Sequence, residues 1–252
     1  MKRAFLFFLI LALVFLAVGC EAAGPTLEER VSAYAALFPD RQQLTYSTTK
    51  EIPSRIIDAT GDAFWPSERA YDIYRDEQQR EFFYFRDTGL PCGYKEPHVY
   101  GSGAVDESSR KTQMEIVEAS LDLVRAITPR YSEYTMVSCV YSEQEQVFFV
   151  TYADRIQGVC TDDVIRMYVR PDGSLGAYTA YALGRYADIR IADDIPALLR
   201  AQEDVYPTIT DSFLTCYRQV YYLIVEGFPK DCSQLQQIAI PLRTETAERS
   251  VP

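Results

Sequence analysis

Residues 148–186, FFVTYADRIQGVCTDDVIRMYVRPDGSLGAYTAYALGRY, constrain the fold more than any other stretch of the chain. Residues 147–152 and 164–170 are runs of β-branched and aromatic side chains, the types that fit a pleated, half-buried surface. Between the second run and a third at 175–181 stands Pro171-Asp172-Gly173-Ser174. Proline presets φ at the second position of a turn, and Gly173 takes the positive φ that returns the next strand to its partner. The segment predicts an antiparallel meander, and the remainder of the chain has to pack around it.

Helical signals stand on both sides. Over 112–127, Thr112 and Glu115 form a capping box, Ile116, Val117, Leu121, Val124 and Ile127 fall on one face, and Pro129 stops the helix. A strand at 134–141 follows. After the meander, Asp193-Asp194 opens a shorter helix with Pro196 in its first turn and Leu198, Leu199 and Val205 as its apolar residues. One long aromatic strand over 213–225, a turn region at 226–232 and a returning strand at 235–242 complete this part.

Upstream, Thr26 and Glu29 cap a helix over 27–38 whose stripe is Leu27, Val31, Tyr34 and Phe38. Residues 41–66 have no sustained period apart from a strand near 44–48. Runs at 70–74 and 81–86 predict a hairpin, and 87–109 has the Gly/Pro composition of a long loop. The order helix then strands occurs at 112–181 and again at 195–242, which suggests tandem units without residue identity between them. The expected class is α+β, an antiparallel meander with helices packed on one face. Residues 26–188 form the expected first unit, 189–243 a second αββ unit and 244–252 a polar tail.

The N-terminus reads as an address. Met1-Lys2-Arg3 is a positive n-region, and 4–18 is an uninterrupted apolar run of fifteen residues, short of the roughly 20 that span a bilayer as a helix. Ala17-Val18-Gly19-Cys20 resembles a bacterial lipobox, which usually has Leu where Ala17 stands. The resemblance implies a signal peptide over 1–19, lipidation of Cys20, a tether over 20–25 and a chain held on a membrane outside the cytoplasm. Two acyl chains make a stable anchor where one is marginal. The alternative is an ordinary secretory cut after Gly19 or Ala22, leaving Cys20 as a spare thiol.

Loss of 1–19 leaves roughly 230 residues, enough for one large domain or two small ones. It also removes two cations from a chain whose formal charge is already −11. Such an acidic balance argues against nucleic acid and against an anionic membrane face, both of which reward basic patches. Cys92, Cys139, Cys160, Cys216 and Cys232 remain besides Cys20, and no two have CxxC spacing, so neither a zinc site nor a dithiol redox site is expected.

The pattern Phe149-Val150-x-Tyr152, Gly158-Val159, Asp163-Val164-Ile165, Tyr168-Val169, Asp172-Gly173-x-Leu175, preceded by a helix and a strand, resembles PepSY-like domains of bacterial secreted proteins over 112–186. The resemblance implies a non-catalytic module that binds or restrains a peptidase, with no catalytic residue and no cofactor to carry over.

Catalytic candidates are few. His98 is the single histidine, and Cys92 and Ser102 flank it without a spacing that fixes a nucleophile and base. Asp162-Asp163 and Asp193-Asp194 are paired carboxylates, but sequence neighbours point in different directions, so they read as turn and cap residues. Nineteen tyrosines include Tyr217, Tyr221 and Tyr222, where a ligand-stacking patch competes with ordinary sheet packing. The expected function is binding or regulating a protein or peptide partner. The alternatives are an extracytoplasmic hydrolase built on carboxylates and a solute-binding module.

Overall fold

The computed structural model describes residues 44–51, 70–99, 110–128 and 130–246. The signal segment, Cys20, the tether, the expected helix over 27–38, Ser102 and the end of the polar tail lie outside the described residues.

The first strands are β1 (Thr45–Glu51), β2 (Ala70–Arg75), β3 (Glu81–Phe85) and β4 (Pro91–Lys95), paired in sequence and all antiparallel. The helix α1 (Gln113–Ile127) follows, with Thr112 and Glu115 forming the capping box and Thr128 ending it. Then come β5 (Tyr134–Ser142), β6 (Val147–Ile156), β7 (Val159–Val169) and β8 (Leu175–Ala180). The β6–β7 hairpin closes through Gln157 and Gly158, both at positive φ, the conformation that matches strand twist in a two-residue loop. Gly173 sits at φ 87° in the turn before β8, where Ser174 N–H also donates to Asp172 Oδ1 at 2.8 Å.

A short β9 (Ile189–Ile191) leads to α2 (Ile195–Gln202), capped by Asp194 through the Ala197 N–H at 3.0 Å. Three further strands, β10 (Thr208–Tyr217), β11 (Val220–Phe228) and β12 (Gln236–Leu242), are again antiparallel, and β13 (Thr244–Thr246) pairs with β9.

Eleven strands form one sheet with a branch at β7. β6 holds one edge of β7. On its other edge β8 pairs with the C-terminal half, and β10 pairs in parallel through Phe213 opposite Cys160 and Leu214 opposite Thr161. The larger core lies between α1 and the sheet, where Ile116 and Val124 meet Phe82, Tyr84, Tyr94, Val150, Ile165, Met167 and Tyr178. A second core gathers Ile195, Leu214, Leu223, Val225 and Tyr186.

The expected α+β class is overturned. Of the described residues 52% are strand and 15% helix, so the fold is mostly β, a single large mixed sheet. Only two α-helices occur among the described residues, and α2 has one fully enclosed side chain, Ile195. Sheet surface that helices were expected to cover is closed instead by the strands' own residues, in clusters such as Ile73, Phe83, Phe85 and Cys92.

Further elements depart from expectation: β9 and β13 were not foreseen, and Val205 lies outside α2 and is exposed. The loop over 87–109 contains β4, and the strand over 213–225 is two strands joined at Arg218 and Gln219. Tyr217 therefore ends β10, whereas Tyr221 and Tyr222 lie on β11.

Candidate functional site

The feature best placed to meet another molecule is β5. It pairs with β6 on one side and with no described strand on the other. Its sequence, YTMVSCVYS, contains no charge and no proline, the residues that usually blunt an open edge. Tyr134 is buried at its start, whereas Met136, Val137 and Val140 are exposed, Val140 to 59%. The register shifts between Met136 and Ser138, so Val137 is the extra residue of a bulge, and the five-residue run from 138 to 142 is regularly paired.

The flank of α1 borders this edge. Gln113 Nε2 donates to the Cys139 carbonyl at 3.0 Å, and the Arg125 guanidinium lies 5.3 Å over the ring of Tyr131, just before β5 begins. Met114, exposed to 74%, adds an apolar side chain near the N-terminal end of the helix.

The second feature is a buried polar junction on β7. Asp162 and Asp163 are adjacent, so they leave the strand on opposite faces. Asp163 is fully buried. Its carboxylate accepts from Tyr134 Oη at 2.8 Å and from three successive backbone N–H groups, Leu183 at 2.8 Å, Gly184 at 2.5 Å and Arg185 at 3.2 Å. Leu183 and Gly184 both have positive φ, which turns those N–H groups inward as an anion-holding nest. Asp162 accepts from Tyr186 Oη at 2.7 Å, Thr215 Oγ1 at 2.7 Å and Arg185 Nη1 at 3.3 Å. The two acids thus clamp segment 183–186 and tie β5, β7 and β10 together.

Burial pushes the Asp163 carboxyl up, against the pull of Tyr134 and the nest. Burial likewise drives the Tyr134 hydroxyl up, with Asp163 adding to it. Asp154, half-buried on β6 opposite Tyr134, is pushed up to about 6 by desolvation and then by the neighbouring Asp163 charge.

The expected turn role of Asp162-Asp163 is therefore corrected, because both lie within β7 and both are saturated by donors. Asp193 receives the Arg243 N–H at 2.6 Å and its guanidinium Nε at 2.8 Å, and Asp194 caps α2. None of these carboxylates stands open to a substrate in the way a glycosidase pair does.

His98 is exposed after β4, whereas Cys92 is buried within it, so the structure does not bring them together. Among the described residues no three His, Cys, Asp or Glu side chains are placed to hold a metal. A shallow cleft of about 270 Å³ lies between the β2–β3 turn and the end of β4, lined by Arg75, Gln79, Glu81, Lys95, Glu96 and Pro97. Its Glu81 is held by Arg75 at 2.5 Å and its Glu96 by Arg170.

The sequence placed a strand at 134–141 without revealing that it is an edge. The available signal was the absence of any charge over nine residues, which reads equally well as a central strand.

No family model matches the chain, and no curated protein matches it. Among solved structures, the Bacillus megaterium YpeB C-terminal domain is similar, with a TM-score of 0.45 and 10% identity over 88% of this chain and 98% of that one.

Proposed function

We propose that this chain is an exported module, lipid-anchored through Cys20, that holds a protein or peptide partner as an added strand and makes or breaks no bond itself. The observation that carries this reading is β5, an uncharged sheet edge with exposed Met136, Val137 and Val140. An added strand gains backbone hydrogen bonds from the edge and side-chain contacts from its alternate residues. That mode uses no nucleophile, base or metal. The carboxylate-hydrolase alternative fits less well because Asp162, Asp163, Asp193 and Asp194 spend their oxygens inside the fold. The solute-binding alternative can draw on the shallow cleft at Arg75 and Lys95, where Glu81 and Glu96 are already held by arginines.

The test uses the full chain in its own membrane. A photo-crosslinking side chain at position 140 is expected to capture one discrete partner, and the same group at exposed Arg200 on α2 none. Identical adducts from both positions refute the edge as the site. Cys20→Ser is expected to release the protein from the membrane fraction and to abolish palmitate labelling. A wild-type protein that is never labelled removes the anchor from the proposal.

A further inference from the structure

Resting on that edge reading, we infer that Gln113 is a built-in cap: its side-chain amide closes an outward carbonyl of β5 at rest, and a partner strand has to displace it.

Which backbone groups of β5 face outward follows from the ladder. In an antiparallel strand the N–H and carbonyl of one residue point to one neighbour, and those of the next residue to the other. The Tyr181 N–H donates to the Val164 carbonyl at 3.0 Å, so Val164 turns towards β8 and Ile165 towards β6. Ile165 stands opposite Tyr152, which therefore bonds to β7, and the next residue, Thr151, bonds to β5 opposite Ser138. Beyond the bulge, Ser138, Val140 and Ser142 face β6, while Cys139 and Tyr141 turn their N–H and carbonyl groups out of the sheet. The bulge at Val137 closes this window on one side and the turn after Ser142 on the other.

Gln113 reaches into the window. Its Nε2 donates to the Cys139 carbonyl at 3.0 Å, where the N–H of an added strand would otherwise bond. The start of α1 is held in place for this. The Lys111 N–H donates to the Pro171 carbonyl at 2.8 Å, Thr112 and Glu115 close the capping box, and Ile116 is fully enclosed. Gln113 itself is exposed. Charge and proline, which protect most open edges, are missing from β5, and a side-chain donor serves in their place.

The cap is weak enough to yield. Opening it takes one side-chain rotation and the loss of one exposed hydrogen bond, worth about two- to tenfold in affinity. The N–H groups of Cys139 and Tyr141 stay open to the arriving strand, which bonds to them before Gln113 releases the carbonyl.

The test uses the full chain in its own membrane with a photo-crosslinking side chain at position 140. Val140 bonds to β6, so the label leaves the outward groups intact. Gln113→Ala is expected to raise the captured fraction of partner about two- to tenfold. Gln113→Glu, which keeps the shape and loses the donor, should do the same, whereas Gln113→Lys, which keeps a donor of similar reach, should stay at the wild-type level. Circular dichroism should be the same for all four proteins, because the Thr112–Glu115 capping box is untouched. Equal capture by all four leaves the edge standing and overturns the cap. Lower capture by Gln113→Ala makes Gln113 part of the grip and also overturns it. If position 140 captures nothing in any of them, the edge reading itself falls and takes the cap with it.

Discussion

Asp154→Asn should make the protein more stable near neutral pH, although it removes a charge that looks native and conserves the side chain's shape. Asp154 lies on β6 opposite Tyr134, half out of water and close to the buried Asp163. Burial and that neighbour raise its pKa from 3.8 to about 6. At about 1.4 kcal/mol per pH unit, a dry site would carry a penalty of about 3 kcal/mol for the charged form. Asp154 keeps partial access to solvent, so screening reduces the realised penalty to about 1 kcal/mol.

The direction follows from linkage. The folded protein holds this proton more tightly than the unfolded chain does, so stability increases as pH falls through 6 towards 4. Glu115 and Asp193 act the other way. Backbone N–H groups of Thr112 and Arg243 hold their carboxyls low, and stability from them is lost as acid protonates them. The quantity to measure is therefore the difference between wild type and variant in urea unfolding. Asp154→Asn is expected to gain about 1 kcal/mol at pH 7.5 and almost nothing near pH 3, below the unfolded carboxyl's pKa. A variant less stable at pH 7.5, or more stable by the same margin at both pH values, refutes the account.

Two further substitutions test the core and the junction. Ile116→Ala should cost about 2–5 kcal/mol by calorimetry and Leu121→Ala clearly less, because Ile116 is fully enclosed and Leu121 only partly; equal losses would show that the buried face of α1 is assigned wrongly. Asp163→Ala strands three backbone N–H groups and Tyr134, and should cost about 3–5 kcal/mol with faster amide exchange at 183–185; a loss below about 1 kcal/mol would mean that water replaces the carboxylate without strain.

The parts of the fold that were legible in sequence have strong local signals. The capping box at Thr112 and Glu115, the Asp172-Gly173 turn and the Asp194 cap each specify their own geometry within a few residues. β4 was not legible, because two of its five residues are Pro91 and Gly93, and its place is set by distant partners. A Cβ on Gly93 would stand 2.3 Å from Phe83 Cδ2, so the glycine is required by close packing that no local pattern announces. The break between β10 and β11 was hidden for the opposite reason. Arg218 and Gln219 adopt positive φ, where a sequence reader expects Asn or Gly. Asp162 and Asp163 looked like surface residues because their donors come from segments 20 and more residues away in sequence.

The two-residue splice between β7 and β10 decides how this molecule carries load. A pull applied at β5 passes through β6 into β7 along two long antiparallel ladders. The block formed by β10, β11 and β12 joins that line through the splice, the Asp162 clamp to Thr215 and a core in which Val159 and Tyr186 pack with Leu214, Leu223 and Val225. A pull on that edge is therefore taken first by these ladders and the first core, and reaches the C-terminal block only beyond β7.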